Sequence, residues 1–89
     1  MQIDTIILRI REFLVTKFPR VQKLNNNENL LENDLLDSLA ILDVVAFLES
    51  EFRITMTDEE LIPENFESIQ SLANFVEKKQ IGQKSQLNT

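Results

Sequence analysis

The sequence predicts an all-α fold, a single small domain of three main helices and one short helix. Apolar residues recur at i, i+3, i+4 and i+7 in three separate segments, which is the spacing of helices that face a core. The chain has 89 residues, enough for one modest core but not for a second. Hydrophobic residues make up 43% of the chain and glycine occurs once, which favours a folded, mainly helical protein over a disordered one.

The first predicted helix covers about residues 3–18. Pro19 should end it, because the residue before a proline is disfavoured in the α region. A polar loop is expected from Arg20 to Leu36, where the apolar periodicity lapses. A loop of this length usually has a function or is pinned. The residues expected to anchor it are Val21, Leu24, Leu30, Leu31 and Leu35.

The second predicted helix, about residues 38–52, has two distinct faces. Asp37 and Ser38 are of the residue types that cap helix N-termini, so Ser38 should open the helix with its hydroxyl outward. Steps of 100° per residue predict a core stripe and, beside it, a mixed acidic and apolar arc that suits a protein partner. The stripe contains Ile41, Val44, Val45, Leu48 and Phe52, and the arc contains Leu39, Leu42, Asp43, Ala46, Glu49 and Ser50.

The chain between the second and last helices should be irregular except for a short helix near 58–62. Ile54 and Met56 are expected to point inward as anchors. Thr57 can cap the short helix, and the acidic residues that follow it suit the positive end of the helix dipole. Pro63 should confine this helix to one or two turns.

The last helix is predicted for about residues 68–80, ending between Gln80 and Gly82. Residues 1–80 would then form the domain, and residues 81–89, with nothing to bury, a disordered C-terminal tail. The buried residues of this helix should be Ile69, Leu72, Ala73, Phe75 and Val76.

The net charge of −6 is unevenly distributed along the chain. Five basic residues lie in the first quarter, whereas Arg53 is the only one between Glu28 and Glu67. The acidic middle should repel nucleic acids and anionic lipids and attract basic protein surfaces. The alternative interpretation is that these charges only keep the protein soluble. The five basic residues are Arg9, Arg11, Lys17, Arg20 and Lys23.

The remaining composition excludes several classes of protein. The chain has no cysteine, which rules out disulfides and thiolate metal sites. No apolar run approaches the roughly 20 residues of a membrane span, and charges near the N-terminus interrupt any signal peptide, so a cytoplasmic location is expected. The spacing of Asn25, Asn27 and Asn29 suggests a calcium loop, but Leu30 and Leu36 stand where that loop needs glycine and glutamate.

The chain is a poor candidate for a catalyst. It has no histidine, cysteine, tyrosine or tryptophan, so Ser38 lacks the base that a serine nucleophile needs. The neighbouring acids Glu59 and Glu60 are more typical of a solvated face than of an acid/base pair. No glycine-rich phosphate loop or metal-ligand cluster is present in the sequence. We therefore expect no catalytic residue and no metal site.

The residues around Ser38 resemble those of the acyl and peptidyl (aminoacyl) carrier proteins. Asp37-Ser38-Leu39 opens a helix that ends Leu48-Glu49-Ser50-Glu51-Phe52, as in that family. An amphipathic helix and a long loop precede this motif, and the exit from Phe52 to Asp58 and a last helix follow it. The resemblance extends from about Ile3 to Lys79. It implies a right-handed bundle of three main helices and one short helix, with residues 1–80 as a carrier domain.

The resemblance also implies a function. The 4′-phosphopantetheine arm of coenzyme A would be esterified to Ser38, beside Asp37 and Leu39, and would hold an acyl or aminoacyl intermediate as a thioester. The chain would be a monomeric, non-catalytic carrier, a substrate of a phosphopantetheinyl transferase and a partner of loading ligases and synthases with basic docking surfaces. The expected partner-binding residues are Leu39, Leu42, Asp43, Ala46, Glu49, Glu59 and Glu60. An apolar seam for the cargo would be formed by Ile41, Val44, Val45, Ile54 and Met56.

Two alternatives remain open. The chain could be an acidic helical interaction module of carrier-like fold in which Ser38 is never modified. It could also be a hydrolase that uses Ser38, although the missing base disfavours this interpretation. Fatty acyl, polyketide and amino acid cargoes all fit the resemblance.

Overall fold

A computed structural model describes residues 2–32 and 36–87 of the chain, with the backbone alone for 83–87. Every regular element in these ranges is helical, so the predicted all-α fold is confirmed. The α-helices are α1 (Ile3–Lys17), α2 (Ser38–Phe52), α3 (Pro63–Phe66) and α4 (Ile69–Leu87), and 3₁₀ helices cover Pro19–Lys23 and Asp58–Glu60. None of the helices in the described part of the chain is long and apolar enough to cross a bilayer.

Helix α1 ends at Lys17, one residue before the predicted end. Phe18 has φ −134° and ψ 82°, outside the helical region, as the steric effect of a following proline requires. Pro19 then begins a 3₁₀ helix, because its fixed φ and missing N–H suit the first turn of a helix. The loop therefore starts with an ordered turn, which its anchor Val21 fixes by complete burial.

The described part of the loop that follows is bonded to the start of α4 and to the residue just after α3. The N–H of Leu30 donates to the carbonyl of Glu67 at 2.6 Å, and the N–H of Gln70 donates to the carbonyl of Asn26 at 2.9 Å. Leu30 is fully buried, while Leu24 and Leu31 pack partly buried against the core. The predicted anchor Leu35 lies outside the described residues. The predicted loop is thus held by its backbone as well as by its apolar side chains.

Helix α2 buries a slightly different line of residues from the predicted stripe. Val44, Leu48 and Phe52 are buried as predicted, and Ala40, which was not predicted, continues that line at a spacing of four. Ile41 and Val45 are only partly buried and flank it. Relative to the predicted stripe, Ala40 takes the core-facing place of Ile41, because a small alanine allows close approach to the core. Helical periodicity alone does not specify which of the two faces the core.

Helices α1 and α2 run antiparallel with a clear register. Arg9 forms an ion pair with Glu51, and the rings of Phe13 and Phe47 stack with centroids 4.1 Å apart and planes 11° from parallel. Phe47 also meets Phe52 edge-on at 5.9 Å. The C-terminal end of α1 therefore lies beside the N-terminal half of α2.

The short helix predicted near 58–62 is present as the 3₁₀ helix Asp58–Glu60, and α3 is a further short helix that was not predicted. The 3₁₀ helix ends at Glu60, and Pro63 is the first residue of α3 instead of a stop signal for the piece before it. Proline is favoured at the first helical position, where its missing N–H has no partner to lose. The predicted short helix is therefore confirmed, whereas the start of α3 at Pro63 was not predicted, because tertiary context decides whether a proline that follows one helix also begins the next.

Helix α4 begins one residue later than predicted and extends further. The Ser68 hydroxyl accepts a hydrogen bond from the N–H of Ser71 at 3.0 Å and so caps the helix at Ile69. Gly82 does not have positive φ and does not end the helix, which continues to Leu87. Glycine inside a helix costs only about 1 kcal/mol relative to alanine, so the expected end near 80–82 was wrong. The disorder of 81–89 stays a prediction, and residues 88 and 89 lie outside the described part.

Candidate functional site

Ser38 is the first residue of α2, and its side chain is exposed. Asp37 occupies the N-cap position, where its Oδ1 accepts from the N–H of Ala40 at 2.8 Å and its carbonyl accepts from the N–H of Ile41 at 3.0 Å. The capping function therefore belongs to Asp37. No hydrogen bond joins the Ser38 hydroxyl to the described residues, so the hydroxyl is available to a partner.

Buried residues on both sides hold Ser38 at the surface. Leu36, two residues earlier, is 5% exposed, and Ala40, two residues later, is 7% exposed. Both side chains belong to the main apolar core. Ser38 is thus an exposed residue on a backbone that is fixed before and after it, which is a requirement for a site that another protein must find in a defined position.

The position of Ser38 suits a phosphodiester. The first N–H groups of an α-helix have no acceptor within the helix, and the helix dipole is positive at this end. A phosphate joined to the Ser38 oxygen would lie where both features favour an anion. The residues present therefore fit a phosphopantetheine arm.

The structure places the predicted apolar partner residues at the surface. Leu39 is 74% exposed and Leu42 is 60% exposed, and their spacing of three places them on one side of α2. Asp43 and Ala46 are also exposed on the same helix. An exposed apolar strip with an acidic border is typical of a protein-binding surface.

Two of the predicted partner-binding acids are already engaged within the chain. Glu49 is half-buried, and its Oε2 accepts from the N–H of Met56 at 2.9 Å, which fixes the segment after α2. Glu60 is also half-buried; its Oε1 accepts from the N–H of Thr57 at 2.9 Å and pairs with Lys79 Nζ at 3.0 Å. Glu59 is exposed. Asp43 and Glu59 are therefore the acids of this set that are free to face a partner.

The contacts of Glu60 change its acidity. Partial burial by itself would raise the pKa of the Glu60 carboxyl, but the hydrogen bond from Thr57 and the ion pair with Lys79 outweigh it. The pKa of Glu60 therefore lies below its ordinary value. The carboxylate ties the 3₁₀ turn to α4 while it is ionised.

The five residues of the predicted cargo seam lie in the same apolar cluster. Val44 and Ile54 are buried, at 1% and 3% exposed, whereas Ile41, Val45 and Met56 are only partly buried. The five residues thus combine two buried and three partly buried side chains, and the cargo seam itself stays a prediction.

Arg11 has a structural role that was not predicted from the sequence. Its guanidinium donates to the carbonyl of Leu24 at 2.6 Å and to Oδ1 of Asn26 at 2.9 and 3.1 Å. These bonds fix the start of the loop against α1. The sequence contains no signal for them, since the partners are a backbone carbonyl and one of three consecutive asparagines.

Comparison with known proteins identifies the family. No protein-family model matches the chain. The chain is 35% identical over 71 residues to the acyl carrier protein of Buchnera aphidicola subsp. Baizongia pistaciae (strain Bp), an alignment that covers 79% of this chain and 88% of that protein. It is 34% identical over 55 residues, 62% of this chain and 63% of the relative, to the "Probable acyl carrier protein PigG" of Serratia sp. (strain ATCC 39006). Together with the helical bundle and the exposed serine at the start of α2, this similarity shows that the chain belongs to the acyl carrier protein family.

Proposed function

We propose that this carrier protein holds an acyl or aminoacyl intermediate as a thioester on a 4′-phosphopantetheine arm attached to Ser38. The family membership supports a carrier role in biosynthesis. The observation that supports the attachment site is the exposed, unbonded hydroxyl of Ser38 at the start of α2, with Asp37 as the cap. The thiol of the arm supplies the bond to the cargo.

In the attachment step the Ser38 oxygen accepts a phosphoryl group from coenzyme A. A bond forms between that oxygen and the phosphorus that bears the pantetheine, and the bond from this phosphorus to adenosine 3′,5′-bisphosphate breaks. The hydroxyl proton must go to a base on the phosphopantetheinyl transferase, since the chain has no histidine or cysteine. This chain contributes an accessible hydroxyl, its fixed position, and a helix end that favours the product anion.

The exposed strip on α2 is the proposed docking face for the transferase and the loading enzymes. Leu39 and Leu42 supply apolar contact, and Asp43 supplies attraction to basic surfaces. The seam beside α2 is the proposed site for apolar cargo. These proposals rest on exposure and charge, and on the absence of other partners for Leu39, Leu42 and Asp43 among the described residues.

Intact mass measurement tests the attachment. The protein incubated with coenzyme A and a phosphopantetheinyl transferase should gain one arm, and Ser38→Ala should gain none. Ser50→Ala, which removes an exposed serine at the other end of the same helix, is the matched control and should be modified fully. A modified Ser38→Ala protein would place the arm elsewhere, and an unmodified wild type would favour the interaction module.

Charge reversal tests the docking face. Asp43→Lys should raise the KM of the transferase for the carrier, and added salt should weaken wild-type recognition in the same direction. Glu64→Lys, on α3 and also exposed, controls for net charge. Asp43 is preferred to Glu49 for this test, because Glu49 also holds the backbone of Met56. Equal KM values in wild type and Asp43→Lys would mean that Asp43 only aids solubility.

A further inference from the structure

An exposed basic patch lies at the end of α1, in a protein whose net charge is −6. We define it as Lys17, Arg20 and Lys23, all of which are exposed. Arg20 and Lys23 are three residues apart in a 3₁₀ helix, so their side chains lie on the same face. Among residues 2–32 and 36–87 no acidic side chain pairs with any of the three, in contrast to Arg9, which pairs with Glu51.

The patch is presented on a fixed backbone. Val21, between the two basic residues of the 3₁₀ helix, is fully buried. Its N–H donates to the carbonyl of Phe18 at 2.9 Å, and the N–H of Leu24 donates to the carbonyl of Val21 at 2.9 Å. Arg11 in turn holds the carbonyl of Leu24. A prearranged charge cluster loses little entropy when a partner binds it.

The patch borders the proposed docking face. The antiparallel register set by the Phe13–Phe47 stack brings the end of α1 beside the N-terminal half of α2. Lys17 and Asp43 accordingly line one groove, whose apolar lining includes Phe13, Phe47 and Ala46. Charges of both signs thus border an apolar groove, and Leu42, next to Asp43 on α2, is exposed.

We propose that the basic patch binds an acidic surface on the enzymes that use this carrier, while Asp43 and the exposed leucines bind an adjoining basic and apolar surface. This inference rests on the proposed function, because it assumes that the partners reach Ser38. An apolar groove between the two charged regions favours a protein partner over a free nucleotide, since protein interfaces combine an apolar centre with a charged border. The cognate partner therefore carries both signs of charge on one docking surface.

The patch would also set specificity. An enzyme with a uniformly basic docking surface would be attracted by Asp43 but repelled by Lys17, Arg20 and Lys23. Discrimination between partners depends on such repulsion as much as on attraction. The carrier would thereby avoid enzymes that serve uniformly acidic carriers.

The test is Arg20→Glu/Lys23→Glu, assayed with the phosphopantetheinyl transferase and the loading enzyme of the same organism. We expect KM for the carrier to rise about 10-fold with at least one enzyme, with kcat unchanged, because border charges act mainly on association. Lys78→Glu, an exposed lysine on α4, is the matched control and should change KM by less than about twofold. Both variants should melt at the wild-type temperature, since the replaced side chains are exposed.

A compensating change in the partner completes the test. Replacing an acid by lysine on the docking surface of the affected enzyme should restore the KM of Arg20→Glu/Lys23→Glu. An unchanged or lower KM for the carrier with both enzymes overturns the proposal, as does a rise in KM for coenzyme A alone, which would indicate a nucleotide site. In each case the variant should still receive its arm on Ser38 at saturating concentration, so a failure of the patch is distinguishable from a failure of the attachment site.

Discussion

The interface between α1 and α4 and the surroundings of α2 differ in how extensively the helices pack against one another. In the first, Ile6, Ile10 and Leu14 of α1 are at most 1% exposed, and Leu72 and Val76 of α4 are 0% exposed. Two backbone hydrogen bonds and the contacts of Arg11 fasten the intervening loop to this pair of helices. Val44 and Leu48 of α2 are buried just as fully, but α2 packs against α4 much less extensively than α1 does. Ile41, Val45 and Met56 are only partly buried.

One side of this small domain therefore supports the fold, and the other side carries the residues of the proposed function. The α1–α4 pair carries the larger share of contacts between helices, so it is expected to dominate stability. The α2 side bears Ser38, the exposed leucines and the partly buried residues of the proposed cargo seam. Elements that must admit a ligand are usually the less stable ones.

Shortening an apolar side chain should lower the free energy of unfolding far more on the α1–α4 side than on the α2 side. Leu72→Ala should lower the free energy of unfolding by about 2–5 kcal/mol, because it leaves a cavity in a fully buried site. Val45→Ala should cost no more than about 1 kcal/mol, because part of its side chain is already in water. Urea denaturation of both variants measures the difference. Equal losses would show that α2 is as firmly packed as α1 and α4.

Apolar cargo should stabilise the α2 side. An octanoyl chain tethered at Ser38 gains about 0.8 kcal/mol for each methylene buried in the seam, and each kcal/mol corresponds to roughly 4–8 °C in Tm for a domain of this size. The loaded protein should therefore melt higher than the form that bears the arm alone. Thermal unfolding followed by circular dichroism measures this difference.

Filling the seam provides the control for that prediction. Val45→Phe should reduce the stabilisation by cargo, since the larger side chain would occupy part of the proposed seam. Val15→Phe, the same change at a partly buried residue of α1, should leave the stabilisation intact. An unchanged Tm on loading of the wild type would mean that the cargo stays in solvent, which favours amino acid or short polar cargo.

The smallest expected effect on stability concerns the ion pair that joins Glu60 to α4. Since the pKa of Glu60 is lowered from 4.5 in the folded state, its contribution to stability is present above about pH 5 and is lost as the pH falls through the folded pKa. Glu60→Gln should therefore reduce stability by at most about 1 kcal/mol at neutral pH and by less at pH 3. Urea denaturation across this pH range measures it. The exposed Glu59→Gln should keep the wild-type profile, and a pH-independent difference between Glu60→Gln and wild type would contradict the assignment.

The sequence by itself determined the fold class, two of the three main helices to within one residue, and the place of Ser38. These features are local. Helical periodicity, the steric effect of Pro19 and the capping chemistry of Asp37 act over a few residues, so they can be read without knowledge of the rest of the fold. The same holds for the exposure of Leu39 and Leu42, which follows from their angular position on α2.

Tertiary structure decided how the helices fit together and which polar groups are engaged. The choice of Ala40 instead of Ile41 for the buried line, and the proximity of Lys17 to Asp43, depend on how side chains of different helices interdigitate. The contacts of Arg11 with Leu24, Glu49 with Met56 and Glu60 with Lys79 join groups 13, 7 and 19 positions apart. A sequence pattern records the period of each helix but not the register between helices, because that register is fixed only when the packed side chains exclude water together.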